Sequence, residues 1–314
     1  MKRIYVVILV LFLFSCQSHR GNDIRPAHQR LENYNGSISF PVEERILTTP
    51  VTILSLLKQL DNVDYSSYAL NNDEKHLFMN YFDLLPLVYK YIIIEKVIGI
   101  YFINDFARSG MTEPVYDDYG NMYTAIFLNP EILYQNLSEW INHKDNSIFE
   151  DNDSKISVII ECDDTYQAVF CVLLHEASHV YDFCNHVTPP WSGETTLHTD
   201  FTDAIWKNYY EPVERFDFEN RQNIVFYSSG EKISKEYALD MYTALTHTPF
   251  SSLYGSTTWI EDFAESFTWY YLNKYHDIKY VTHIMENEIT LLSYDPNENE
   301  LVKRRYGIFE KILE

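Results

Sequence analysis

The chain has 314 residues, 46% of them hydrophobic and 16% aromatic, with 26 Tyr and 19 Phe; this is too apolar for a disordered protein and long enough to bury one large core or two small ones. Only 9 Gly are present, which argues against fibrous and Gly-rich binding folds. Against 46 acidic residues stand 24 basic ones, a net charge of −22, and such a surface repels nucleic acid and anionic headgroups because phosphate binding needs Lys and Arg to displace counterions.

Lys2 and Arg3 precede an uncharged apolar run from Ile4 to Phe14. A membrane-spanning helix needs about twenty residues, so the run fits the core of a signal peptide over 1–15. It ends Leu13-Phe14-Ser15-Cys16, which resembles the lipobox of bacterial lipoproteins. The resemblance implies that Cys16 is lipidated and becomes the mature N-terminus, so that the membrane is met only through this anchor. Gln17 in place of Asp implies, by the same resemblance, the outer membrane or cell surface of a bacterial envelope rather than the inner membrane. An ordinary cleaved signal is the alternative. The polar stretch 16–42, with Gly21, Pro26, Asn35 and Gly36, reads as a tether, which leaves 43–314 as one α+β domain.

Within that domain helices are expected over 50–60 and 73–94, then strands over 98–103 and Met122–Leu128 joined by a loop carrying Gly110, Pro114 and Gly120. Pro130 suits the first turn of a helix reaching about Asn142. Ile156–Cys162 is a β-branched run, followed by Thr165 as cap of an apolar-periodic helix over 166–183. The section 185–250 is irregular, a long insertion with short helices near 201–209 and 234–245. Three more helices are expected over 258–275, 280–292 and 300–313. Cys171 and Cys184 lie on one helix about 20 Å apart, too far for a disulfide, and with Cys162 they form no thiolate-site spacing.

The chemistry concentrates in Leu173-Leu174-His175-Glu176-Ala177-Ser178-His179. Residues four apart on a helix share a face, so His175 and His179 can converge on one Zn²⁺ at about 2.0–2.1 Å. Glu176 is offset by about 100°; it stands beside the metal, where a general base for the water there belongs. A chain of this composition holds roughly 0.03 such H-E-x-x-H matches by chance. A metzincin third ligand would stand six residues after His179, and Asn185 occupies that place. The better candidate is Glu261, in Glu261-Asp262-Phe263-Ala264-Glu265. Of Glu261 and Glu265, again four apart, one can ligate while the other accepts a hydrogen bond from a ligating imidazole. Thr258 before Glu261 also makes a capping-box pattern. His186, His198, His247, His276 and His283 lack partner spacing and read as ordinary surface or core histidines.

His-Glu-x-x-His with a distant Glu-x-x-Ala-Glu resembles the gluzincin group of zinc peptidases. With Tyr254-Gly255 seven residues before Glu261, the stretch is similar to the zinc domain of anthrax lethal factor and its relatives. The resemblance covers motifs between His175 and Trp269. It implies a zincin-like fold with a mixed sheet, an active-site helix and a helical C-terminal part. It further implies Glu261 as third ligand, Tyr254 as donor to the oxyanion, and Ile156–Cys162 as the edge strand beside an extended substrate. The departure is the spacer, since Glu261 lies 82 positions after His179. A zinc-dependent endopeptidase with one catalytic Zn²⁺, acting on a peptide or protein, is the expectation. The alternatives are a catalytically silent binding or adhesion lipoprotein and a zinc hydrolase of a cell-wall amide.

Overall fold

The computed structural model describes residues 25–150, 154–190, 197–227 and 232–314. The signal segment 1–15 and Cys16 lie outside them.

The chain from Arg25 to Val42 is packed on the domain, a correction to the expected tether. Its composition is polar, but the Tyr34 ring packs tilted beside Tyr101 and Phe127, with ring centroids 6.0 and 6.5 Å away. Gly36 lies so close to the backbone of Ile98 that a Cβ would meet its carbonyl oxygen. Strand β1 (Ile46–Leu47), helix α1 (Val51–Asp61) and strand β2 (Ser66–Tyr68) follow. The expected 73–94 helix is two, α2 (Asn72–Asp83) and α3 (Leu87–Lys96), because Pro86 cannot continue a helix. α2 starts on a full Asn71–Glu74 capping box.

α3 runs directly into strand β3 (Val97–Asn104). The expected loop after it is largely strand β4 (Gly110–Tyr116), which returns antiparallel to β5 (Met122–Leu128). β3 and β5 are parallel, β1 joins β3 in parallel and β2 in antiparallel sense, so the sheet is mixed and β4 is its edge. Asn129 N–H donates to the Ser109 carbonyl in the same register. By strand alternation, residues 111, 113 and 115 therefore bond β5, while Gly110, Thr112 and Pro114 direct their backbone groups away from the sheet. The missing N–H of Pro114 thus costs no ladder bond.

The helix expected from Pro130 is a 3-10 turn (Pro130–Leu133) followed by α4 (Leu137–Asn146), which Asn136 caps. Strand β6 (Ile156–Cys162) is where the sequence places it. Helix α5 (Ala168–Asn185) begins after Gln167, not at Thr165, and no side chain caps it. Within 185–250 the 201–209 stretch is turns, and α6 (Ala238–Leu245) is the described helix. Helix α7 (Trp259–His276) comes next.

The helix expected over 280–292 is instead a hairpin of β7 (Tyr280–Glu286) and β8 (Ile289–Tyr294), forming a three-stranded antiparallel sheet with β6. Tyr280, Thr282 and Ile284 are buried while the residues between them are not, a period of two that fits a strand. Asn287 and Glu288 both take positive φ, the demand of a tight hairpin turn usually met by Gly. Short α8 (Glu300–Lys303) and α9 (Tyr306–Leu313) close the chain.

The fold is therefore mixed α and β. One face of the β3–β5 sheet carries the main core, with α3, α5 and α7; the other carries a smaller cluster with Ile53, Leu57, Tyr101 and Phe127.

Candidate functional site

Helix α5 is apolar on nearly every side, and Val169, Phe170, Val172, Leu173 and Val180 are buried, so the helix is a rigid platform under the sheet. Its two histidines face α7. Thr258 caps α7 through its side chain, which accepts from Glu261 N–H at 3.3 Å. The Glu261 carboxylate does not return the bond expected of a capping box; it turns to the histidines.

Three atoms meet there. His175 Nε2 lies 3.1 Å from His179 Nε2 and 3.1 Å from Glu261 Oε2, and His179 Nε2 lies 3.4 Å from Glu261 Oε2. Ligands at about 2.05 Å from a tetrahedral metal are separated by about 3.3 Å. The trio thus has the spacing of three corners of such a site, with the fourth left to solvent. Among the described residues it is the one group of three or more His, Cys, Asp or Glu side chains whose ligand atoms converge. Side-chain exposures of 12% for His175 and 19% for Glu261 leave the trio reachable from outside.

Without a metal these groups charge one another. Burial opposes ionisation of Glu261, but His179 and His175 override it and hold the carboxyl below its usual range. Burial likewise opposes the charge on His179, and Glu261 overrides it, lifting the imidazole to about 9.

Glu176 reaches toward β4 from the same helix. Its Oε2 accepts from Thr112 Oγ1 at 2.7 Å, and its Oε1 lies where a Cβ on Gly110 would stand, 2.4 Å away. Burial raises its pKa, against the histidines and Thr112, which lower it. A carboxyl raised this way and held near two imidazoles suits proton transfer.

Glu265, one turn after Glu261, approaches His175 Nδ1 at 3.5 Å. Three further donors fix it: Lys144 Nζ at 2.8 Å, Ser252 Oγ at 2.7 Å and Trp269 Nε1 at 3.1 Å. Ser252 Oγ also accepts from Gly255 N–H at 3.0 Å, which fixes the turn bearing Tyr254. The Tyr254 ring stacks on His175, with centroids 5.8 Å apart. Burial raises its pKa well above the usual value, so the phenol keeps its proton.

All of His175, Glu176, His179, Tyr254, Glu261 and Glu265 therefore lie in one neighbourhood. The other histidines stay apart: His186 ends α5 in left-handed backbone, His276 packs on Phe170, and His283 meets Ser293 and Glu161. Asn185 turns back to the Tyr181 carbonyl. β6 is not the open edge that the resemblance implied. Asn142 of α4 pairs both the N–H and the carbonyl of Ile160, and Asn146 takes the carbonyl of Val158. The edge beside Glu176 is β4, which Arg30 meets in parallel at Tyr116 and which, on the side away from β5, pairs with no strand at Gly110 and Thr112 among the described residues. Sequence reasoning missed Gly110, Thr112, Lys144 and Ser252; of these only the Ser-x-Tyr-Gly spacing carried a local signal.

Comparisons of the chain with protein-family models, with curated proteins and with solved structures return no match.

Proposed function

We propose that this chain is a zinc-dependent peptidase of zincin-like architecture, held at a bacterial envelope by a lipid on Cys16. The observation that carries the reading is the 3.1–3.4 Å triangle of His175 Nε2, His179 Nε2 and Glu261 Oε2. Two imidazoles and one carboxylate are the donor set of hydrolytic zinc sites with an open position. A Zn²⁺ ion bound there supplies a Lewis acid that acidifies water and polarises a carbonyl.

The chain's own residues do the rest. An extended peptide can lie along β4, exchanging main-chain hydrogen bonds with Gly110 and Thr112. Glu176 takes a proton from the attacking water as its oxygen bonds to the carbonyl carbon. It returns that proton to the amide nitrogen as the C–N bond breaks, leaving an amine and a carboxylic acid whose remaining proton passes to that amine, giving a carboxylate and an ammonium. Tyr254 donates its O–H to the carbonyl oxygen while that oxygen carries charge.

The test is metal analysis joined to turnover of a peptide library by the wild type and by Glu176→Gln. One zinc per chain, lost in His179→Ala, with turnover abolished in the Gln variant, supports the reading. Zinc held with no turnover of any peptide would point to a binding module instead. Unaltered zinc affinity in Glu261→Ala would remove Glu261 from the ligand set.

A further inference from the structure

Lys144 is an unusual residue to find inside this protein. It is 3% exposed, and Lys is almost never buried without partners. Its Nζ donates to Glu265 Oε1 at 2.8 Å and lies 4.0 Å from Asp145 Oδ1. Asp145 is itself fixed by the Tyr280 hydroxyl at 2.5 Å. Three aromatic rings surround the ammonium: Trp140 and Phe226 at 5.7 Å and Tyr254 nearest, at 4.5 Å from the ring centroid.

These contacts divide into two groups. The carboxylates neutralise the cation and hold it in place, and they would serve equally well a few ångströms from any active residue. The Tyr254 ring is different, because it belongs to the site. Its hydroxyl makes no hydrogen bond among the described residues, and Phe226 meets the ring edge-on with centroids 4.8 Å apart. A cation over a phenol ring stabilises electron density in that ring. It therefore favours any step in which the O–H gives up part of its proton to a neighbour, as it does to a charged oxygen.

We propose that Lys144 is a positioning residue for the oxyanion side of the site: its ammonium, clamped by Glu265 and Asp145, backs the Tyr254 ring and strengthens the hydrogen bond that the phenol donates. The same carboxylate, Glu265, faces His175, so one buried ion pair sets both the metal side and the oxyanion side. Burial opposes charge on Lys144, but Glu265 and Asp145 override it, so the cation persists through neutral pH.

This inference rests on the zinc-peptidase reading, and the experiment separates their failures. A peptide phosphonate, whose anionic oxygens imitate the hydrolytic oxyanion, is titrated calorimetrically into four zinc-loaded proteins: wild type, Lys144→Met, Tyr254→Phe and the double variant. Lys144→Met is expected to weaken binding by about 5- to 10-fold when Tyr254 is present and by less than twofold when Phe replaces it. Equal losses in both backgrounds would overturn the inference, since a merely structural or long-range charge effect does not need the phenol. Lys144→Gln, which keeps a donor for Glu265 without the charge, carries the same cycle if Lys144→Met does not fold. A wild type that takes up no zinc, or binds zinc but not the phosphonate, overturns the peptidase reading itself and the role of Lys144 with it.

Discussion

Gly110 passes so close to Glu176 that its hydrogen stands where any side chain would strike the carboxylate. The contact is with the far end of a flexible side chain, so an added methyl is expected to move Glu176 and leave the fold intact. A misplacement of about 1 Å in a reacting group costs on the order of 10²-fold in rate. Gly110→Ala should therefore keep its zinc and lose about that factor in kcat, read by metal analysis beside turnover. Full activity in this variant would mean that Glu176 does not act from the position found. His179 sets a second expectation. Its pKa stands at about 9 beside Glu261, above the ordinary 6.5. In the metal-free protein the stability from that charge is fully present below about 6.5 and is lost as pH rises through 9. Zinc needs the unprotonated nitrogen, so its affinity moves the opposite way, rising across that window by up to about tenfold per pH unit. The zinc-induced increase in Tm should thus grow from pH 6.5 to 9, with about one proton released on binding near pH 7.5. A flat affinity over this range would show that His179 is not a ligand.

Helices α5 and α7 and strand β6 are legible in the sequence because each carries an uninterrupted apolar or β-branched pattern. Helix periodicity alone pairs His175 with His179 and Glu261 with Glu265, each a turn apart; the choice of Glu261 over Glu265 as the candidate ligand comes only with the gluzincin resemblance. Strand β4 is hidden, because Gly110 and Pro114 are the residues that ordinarily mark a loop, and only an edge position tolerates both. The β7–β8 hairpin is hidden for a different reason. Its turn places Asn287 and Glu288, not Gly, at positive φ, and stacking of Tyr280 on Trp269, with centroids 4.2 Å apart, fixes a face that no local pattern announces. Which edge lies open depends on tertiary contacts that local patterns do not contain. β6 is closed by the amide of Asn142, which bonds the N–H and the carbonyl of Ile160 at 2.8 Å each. Asn142→Ala leaves both groups without that partner and should cost about 1–3 kcal/mol, seen as a lower urea midpoint at unchanged slope. A midpoint equal to the wild type would mean that water replaces the amide at no cost.

Among the described residues of the 81 that lie between His179 and Glu261, several are tied down by contacts on the far side of α7. Asp262, next to Glu261, is 0% exposed. It accepts from Trp206 Nε1 at 2.9 Å and from Arg305 Nη1 at 2.6 Å. Trp206 belongs to the insertion and Arg305 to the C-terminal part, where its other nitrogen bonds Ser266 Oγ and the Pro249 carbonyl. Adjacent helix residues point about 100° apart, so as Asp262 is drawn to one side Glu261 is presented to α5 on another. Burial raises the pKa of Asp262 against the pull of Arg305; without Arg305 the carboxylate would lose its only charge partner among the described residues. Removing one member of a buried pair costs about 3–5 kcal/mol, whereas removing both charges often costs less. Metal-free Arg305→Met should therefore unfold at a markedly lower denaturant concentration than the wild type, and the double variant Arg305→Met with Asp262→Leu should recover part of the loss. A Zn²⁺ ion held by His175, His179 and Glu261, as proposed, would join α5 to α7 from the opposite side. At a free concentration of a thousand times Kd it adds about 4 kcal/mol, so it should raise the midpoint of the single variant by as much as that of the wild type. A single variant as stable as the wild type without metal would show that α7 is held by its apolar packing alone. One that folds normally but no longer binds zinc would place the Asp262–Arg305 pair in control of where Glu261 stands.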